Sequence, residues 1–306
     1  MSGNQYRAVF TNTCASVNSS AASLTVASKN LTVNGITASN KVYDGNTSAT
    51  INSSSASLVG VVTGDSVTLN TGSASGAFLT KTVGNGKTVQ ISGLAISGAD
   101  ATNYSLTQPT TTADISAKSL SVSFQAQNKV YDGNASATIK SSPAPSLVGV
   151  VSGDTVTLDG SSASASFANK NVGSGKTVTA SGFTKSGADA GNYVFASPQG
   201  TTTADISAKN LTISGALAND RVYNGSTTAT VDFSAASLNG VVSGDTVSID
   251  SSGYAASFAT KNVGTGKAVT VTGVTLGGGD AGNYSLSQPS GLTANITAKG
   301  LTISGA

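Results

Sequence analysis

The groups able to do chemistry in this sequence are few. Its 306 residues include no histidine, tryptophan or glutamate, a single cysteine (Cys14), 14 aspartates and 16 lysines plus arginines. A serine or cysteine nucleophile needs a neighbouring base, most often histidine, to take its proton. Cys14 has no such partner in the chain. Paired carboxylates could hydrolyse a substrate, but the aspartates here sit in turn contexts that recur copy by copy, whereas an active site is a single constellation. The expectation is a protein that is not an enzyme, with no catalytic, cofactor-binding or metal-binding residue and no cofactor.

Four recurring motifs could still carry other chemistry. Asp100 and Asn103, with Asp189 and Asn192 and with Asp280 and Asn283, offer the oxygen ligands a calcium ion takes. One carboxylate per loop is short of that coordination number, so these side chains are expected to cap turns through local hydrogen bonds. Lys81, Lys170 and Lys261, or Lys87, Lys176 and Lys267, could join an asparagine in an isopeptide bond. That reaction wants a buried acid beside the pair, and lysines guarding strand edges and solvent faces are the plainer expectation. Gly84-Asn-Gly-Lys87 has the look of a phosphate loop without its spacing or its helix, and reads as a glycine-rich hairpin turn. Tyr43, Tyr131 and Tyr223 are expected in core or corner packing, because tyrosine buries a large ring while satisfying its hydroxyl.

The elements that must position these groups are strands. Ser, Thr, Gly, Ala and Val fill most positions, apolar residues make up 38% and charged residues 10%, a composition suited to pleated, half-buried faces broken by glycine turns. Short alternating runs such as Leu31-Thr-Val33 and Val89-Gln-Ile91 recur, and no window of ten residues carries a helical apolar period. With a formal charge of +2 the chain has no basic stripe for nucleic acid. No apolar run reaches the 18 or so residues of a membrane helix.

The chain repeats itself. Lys41-Val-Tyr-Asp-Gly-Asn46 lies over Lys129-Val-Tyr-Asp-Gly-Asn134 and Arg221-Val-Tyr-Asn-Gly-Ser226, the tyrosines 88 and then 92 residues apart. Gly64-Asp65, Gly153-Asp154 and Gly244-Asp245 recur at nearly the same spacing, 89 and then 91 residues, as do Val83-Gly-Asn-Gly-Lys87 and its copies, and Asp100-Ala-Thr-Asn-Tyr104 and its copies. A period near 90 residues exceeds that of solenoids, so each copy is expected to close its own core, as separate beads. At Ile115 and Ala117 the apolar positions are odd, and at Leu120, Val122 and Phe124 they are even. That flip recurs at Ile206/Leu211 and Ile296/Leu301, and suggests a strand leaving one core for the next. Boundaries then fall at Lys29, Lys118, Lys209 and Lys299: residues 1–29, 30–118, 119–209, 210–299 and 300–306. No Gly/Ser or Pro linker intervenes, which suggests a semi-rigid elongated rod with short hinges.

Residues 1–29 resemble the last strands of a truncated bacterial immunoglobulin-like domain, with the run Gly3-Asn-Gln-Tyr6 before a closing strand, and 300–306 resemble the start of a further repeat. The Tyr-Asp-Gly signature at Tyr43 and Tyr131, the Gly-Asp turn, Asn171-Val-Gly-Ser-Gly-Lys176 and Gly187-Ala-Asp-Ala-Gly-Asn-Tyr193 together resemble the YDG-type repeat of large bacterial surface proteins, including filamentous-haemagglutinin-like adhesins. The third copy departs from that pattern at Arg221 and Asn224. The expected fold is all-β, a tandem array of small β-sandwich-like modules, immunoglobulin-like or β-grasp-related. The resemblance implies an extracellular, cell-surface setting and a stalk or spacer role, with neighbouring repeats as partners. The alternative is that the modules are themselves adhesive towards a surface, a glycan or one another, with calcium as a stabiliser. Scarce aromatics, at 5%, favour the spacer.

Overall fold

A computed structural model describes residues 4–305, and these fall into two compact units. The first takes the chain up to Leu120 with Gly149–Thr157 and Ser186–Val194; the second takes Ser121–Val148, Leu158–Lys185 and the chain from Phe195 onward. The first unit therefore holds the whole first repeat and the part of the second that meets it. The second holds the remainder of the second repeat and the whole third.

The fold is all-β. Among the described residues the only helical pieces are three single 3-10 turns, Ala101–Asn103, Ala190–Asn192 and Ala281–Asn283. In the first repeat a five-stranded sheet runs in the order Lys41–Val42, Thr110–Ser116, Gly84–Ser92, Ser75–Phe78, Ser48–Ala49. Its first pair is parallel and the others antiparallel. A three-stranded sheet pairs Lys29–Asn34 antiparallel with Ser57–Val59 and parallel with Tyr104–Leu106. Alternation decides what goes inside: Leu31 and Val33 are buried from one sheet, Phe78, Val89, Ile91, Ala113 and Ile115 from the other. The third repeat follows the same plan with a four-stranded larger sheet, its fifth place held by a single bridge between Thr228 and Ser257, and there Ile213 of the smaller sheet packs on a cluster of Phe258, Val269, Val271, Ala294 and Ile296 from the larger.

Residues 4–29 form two short antiparallel pairings, Gln5–Tyr6 with Ala22–Ser23 and Val9–Thr11 with Ser16–Asn18. Every side chain in them is exposed. Strands this short with no buried face contribute little stability of their own.

Two expectations are corrected here. The glycine-rich segment is no hairpin turn but a bulge inside the nine-residue strand Gly84–Ser92. Gly84 stands opposite Ile115 and Lys87 opposite Ala113, so the strand carries one residue more than its partner. Gly86 takes φ +57° there, and its N–H donates to Asp114 Oδ1 at 2.7 Å. The bulge recurs at Gly173/Lys176 and Gly264/Lys267.

Nor are the second and third repeats beads on a hinge. In the second unit one buried cluster contains Val122, Phe167, Val178 and Ile206 and continues into Leu211 and Tyr284. The apolar phase does flip across Ala208, but only that residue separates the strand Gly200–Ser207 from Lys209–Ser214. The flip moves the chain from one sheet to another while Ile206 and Leu211 stay in the same core.

Candidate functional site

The Tyr-Asp-Gly loop is built around its lysine. Lys41 Nζ donates to Asp44 Oδ1 at 2.8 Å and to the Asn46 and Ser48 carbonyls, and lies 5.6 Å from the Phe78 ring centre. Asp44 in turn accepts from the Asn46 N–H at 3.1 Å. The caged ammonium folds the loop back on itself and holds Tyr43 and Gly45 at its tip. Lys129, Asp132, Asn134 and Phe167 repeat this arrangement. The third copy reaches it with different groups, as Arg221 donates to Asn224 Oδ1 and to the Ser226 hydroxyl and carbonyl over the Phe258 ring. Arg221 Nε is left buried without a partner.

Tyr43 is buried as expected, yet its hydroxyl is satisfied by the following repeat. It donates to Asp154 Oδ2 at 2.7 Å, and Tyr193 donates to the same oxygen at 2.6 Å. Lys81 Nζ sits 3.0 Å from Asp154 Oδ1, so one carboxylate receives two hydroxyls and an ammonium. The two rings meet edge to face, centres 5.4 Å apart and planes at 76°, with Lys81 Nζ 5.9 Å from the Tyr43 ring centre. A second attachment runs from the Val83 N–H to Asn192 Oδ1 at 3.0 Å. We call this set the latch.

The second unit holds the same latch one repeat on. Tyr131 and Tyr284 donate to Asp245 Oδ2 at 2.8 and 2.6 Å, Lys170 Nζ is 3.1 Å from Asp245 Oδ1, and the Val172 N–H donates to Asn283 Oδ1 at 3.0 Å. The ring pair repeats at 5.3 Å and 76°.

The electrostatics follow from burial and partners. The Asp154 and Asp245 side chains are 1% and 3% exposed. Burial pushes the Asp154 carboxyl up, but the Tyr193 and Tyr43 hydroxyls and the Lys81 ammonium outweigh it and hold it below the ordinary carboxylate range. Asp245 is held low by Tyr284, Tyr131 and Lys170. Burial, and then the hydrogen bond to the aspartate, push Tyr193 and Tyr284 up to about 12. Lys81 and Lys170 are raised by the hydrogen bond to their aspartate and then by the tyrosine.

Further expectations are corrected by this geometry. Lys81 and Lys170 are latch cations rather than guards of a strand edge. Lys87, Lys176 and Lys267 donate instead to Thr80 Oγ1, Asn169 Oδ1 and Thr260 Oγ1. Asp100, Asp189 and Asp280 do not cap their own turns: each accepts an N–H from the Gly-Asp loop 34 residues earlier, Ser66, Thr155 or Thr246. Asn192 and Asn283 belong to the latch. Among the described residues no group of three or more acidic or cysteine side chains could hold a metal ion, and Cys14 is free and exposed.

Asp154 and Asp245 are the residues that sequence reasoning missed as functional. They stood out only as turn punctuation; the available signal was that the Gly-Asp step recurs 22 or 23 residues after the motif tyrosine in every copy.

Two such repeat boundaries define a class: tandem β-domains that dock on one another through a common polar latch. The chain belongs to the YDG domain family, which it matches three times, at residues 27–113, 116–203 and 207–294. No curated protein matches the sequence.

Proposed function

We propose that this chain is a structural spacer from a large bacterial extracellular adhesin or surface protein, without catalytic activity. The observation that carries the reading is the recurrence of the latch. The groups best able to do chemistry, two tyrosine hydroxyls, a lysine and a buried carboxylate, are used in both places to hold one repeat to the next. Stalk modules that bear load need such contacts between neighbours, and a linker without spare residues transmits force rather than absorbing it. Several features favour a spacer over an adhesive surface: a formal charge of +2, no tryptophan, and buried rather than displayed tyrosines at the two boundaries. The partners on this reading are the neighbouring repeats; nucleic acid is not among them, and no helix among the described residues is long and apolar enough to cross a membrane.

Single-molecule pulling on residues 1–306 tests the spacer. A load-bearing array gives three high-force events, each releasing about 90 residues or roughly 30 nm of extended chain. Smooth extension at low force would overturn the reading. An antibody against the chain should stain intact producing cells, and staining only after lysis would remove the extracellular setting.

A further inference from the structure

The third repeat closes its Tyr-Asn-Gly loop around a cation that has no anion. Lys41 and Lys129 hold the carboxylates of Asp44 and Asp132 at 2.8 and 2.7 Å. Arg221 holds instead the side-chain amide oxygen of Asn224 at 2.7 Å, with the Ser226 hydroxyl and carbonyl. Its Nε is buried without a partner, and no carboxylate lies within ion-pairing distance of it among the described residues. A guanidinium taken partly out of water and given only neutral acceptors lacks the charge-assisted bonds that offset its burial.

Asn224 stands where the other copies have that carboxylate, and its surroundings activate its amide. Three donors meet on Asn224 Oδ1: Arg221 Nη1 at 2.7 Å, the Ser226 N–H at 3.1 Å and the Ser226 hydroxyl at 3.1 Å. Donors gathered on a carbonyl oxygen draw charge from its carbon and stabilise the oxyanion that forms when a nucleophile adds. The bond from the Ser226 N–H curls the side chain over the following peptide, as in an Asx turn. That peptide belongs to Gly225, whose nitrogen no side chain shields and whose N–H donates to nothing among the described residues. Water reaches this position even in a docked loop, since the Asp44 and Asp132 side chains are 46% and 47% exposed. The sequence has three other Asn-Gly steps, at Asn34, Asn85 and Asn239. The nitrogen after Asn85 is tied to Asp114, and Asn34 and Asn239 sit in strands opposite Ser57 and Thr212. None of the three has a donor on its side-chain oxygen among the described residues.

We propose that Asn224 is a self-modification site: in the folded chain it deamidates and becomes the aspartate that Arg221 lacks. The Gly225 nitrogen gives its proton to water and bonds to Asn224 Cγ, and Arg221 and Ser226 hold the oxyanion. The Cγ–Nδ2 bond then breaks and Nδ2 leaves with a proton as ammonia, closing a five-membered imide. Water adds at the same polarised Cγ, the bond from Cγ to the Gly225 nitrogen breaks, and that nitrogen takes a proton back. The peptide is restored with a carboxylate at position 224. One water enters, one ammonia leaves, and nothing is oxidised or reduced. Because the donors sit on Cγ rather than on the backbone carbonyl, the imide opens to aspartate and not to isoaspartate. The product gives Arg221 the charged partner that Lys41 and Lys129 have in their loops. Each chain undergoes this change once, so the inference stands beside the spacer reading and does not rest on it.

Peptide mapping by mass spectrometry tests this on the full chain held for weeks in warm, mildly alkaline buffer. Asn224 should convert about tenfold faster than Asn34, Asn85 and Asn239, gaining about 1 Da and giving aspartate as the main product. In urea that lead should vanish, because the unfolded chain has no cage. Arg221→Gln removes the cation and Ser226→Ala one donor, and each should slow Asn224 several-fold while the other three sites keep their rates. Ser226→Ala, the milder change, keeps the loop cation and so keeps the test sound if Arg221→Gln loosens the loop. The proposal is overturned by an Asn224 no faster than the other sites in the folded chain, by a lead that persists in urea, by isoaspartate as the main product, or by a Ser226→Ala rate equal to the wild type.

Discussion

Tyr43 and Tyr223 occupy the same place in two copies of one repeat and differ in what lies beyond the ring. Tyr43 is 1% exposed, its hydroxyl on the carboxylate of the following repeat, its loop glycine packed against Val151. Tyr223 is half-buried, and around Gly225 a Cβ would meet nothing within 4 Å. The loops themselves are alike, since Lys41 and Arg221 each hold theirs closed. The difference teaches that the Tyr-Asp-Gly motif has two separable jobs, one shaping a loop and the other completing a contact that only a second repeat supplies.

The strongest way to break that comparison is to remove the shared carboxylate. Asp154→Ala leaves two buried hydroxyls and an ammonium without their acceptor, and should destabilise the first unit by about 3 to 4 kcal/mol in denaturant unfolding. Asp65→Ala, in the matching Gly-Asp loop of the first repeat, leaves only Tyr104 without its acceptor and should cost about 1 kcal/mol. Equal losses would mean that Asp154 acts within its own repeat.

Acid removes both latch carboxylates at once. The folded-state values of Asp154 and Asp245 lie below the unfolded carboxylate, so their contribution is complete above the unfolded value of about 3.9 and is lost as pH falls through the folded values. Tyr193 and Tyr284 act at the other end. Their folded values of about 12 exceed the unfolded value of about 10, so their contribution is complete below pH 10 and is lost as pH climbs towards 12. Thermal unfolding should therefore be flat from about pH 5 to 9 and fall on both sides, with the acid limb shallower in an Asp154→Asn, Asp245→Asn double variant.

The glycines sharpen the comparison. Gly45 and Gly225 share φ +82°, where any side chain costs about 1 to 2 kcal/mol. At Gly45 a Cβ would also stand 2.7 Å from Val151 Cγ1, adding about 1 to 3 kcal/mol of overpacking. Gly45→Ala should therefore lower stability clearly more than Gly225→Ala, as read by hydrogen exchange in the adjoining strands.

The smallest effect tests the hydroxyl alone. Tyr43→Phe should cost about 1 kcal/mol and Tyr223→Phe close to nothing in dilute solution, because only the first hydroxyl has an acceptor in another repeat. Denaturant midpoints at low protein concentration distinguish the two.

Much of this protein is written locally. The three-fold repetition, the all-β class and the strand runs Leu31-Thr-Val33 and Val89-Gln-Ile91 follow from period-two alternation and turn residues, which are short-range properties of a chain. The Lys41–Asp44 pairing is equally short-range, three residues apart. What the residues could not announce is where Tyr43 and Lys81 would find their acceptor. Asp154 lies 111 residues beyond Tyr43, and a hydroxyl or an ammonium carries no mark of its partner until the sheets bring them within 3 Å. The same holds for the glycine bulge, set by register against Asp114, and for the core that runs from Ile206 into Leu211. Alternation determines which side of a strand is apolar, and only the packing of the sheets decides which core that side enters and which carboxylate closes the latch.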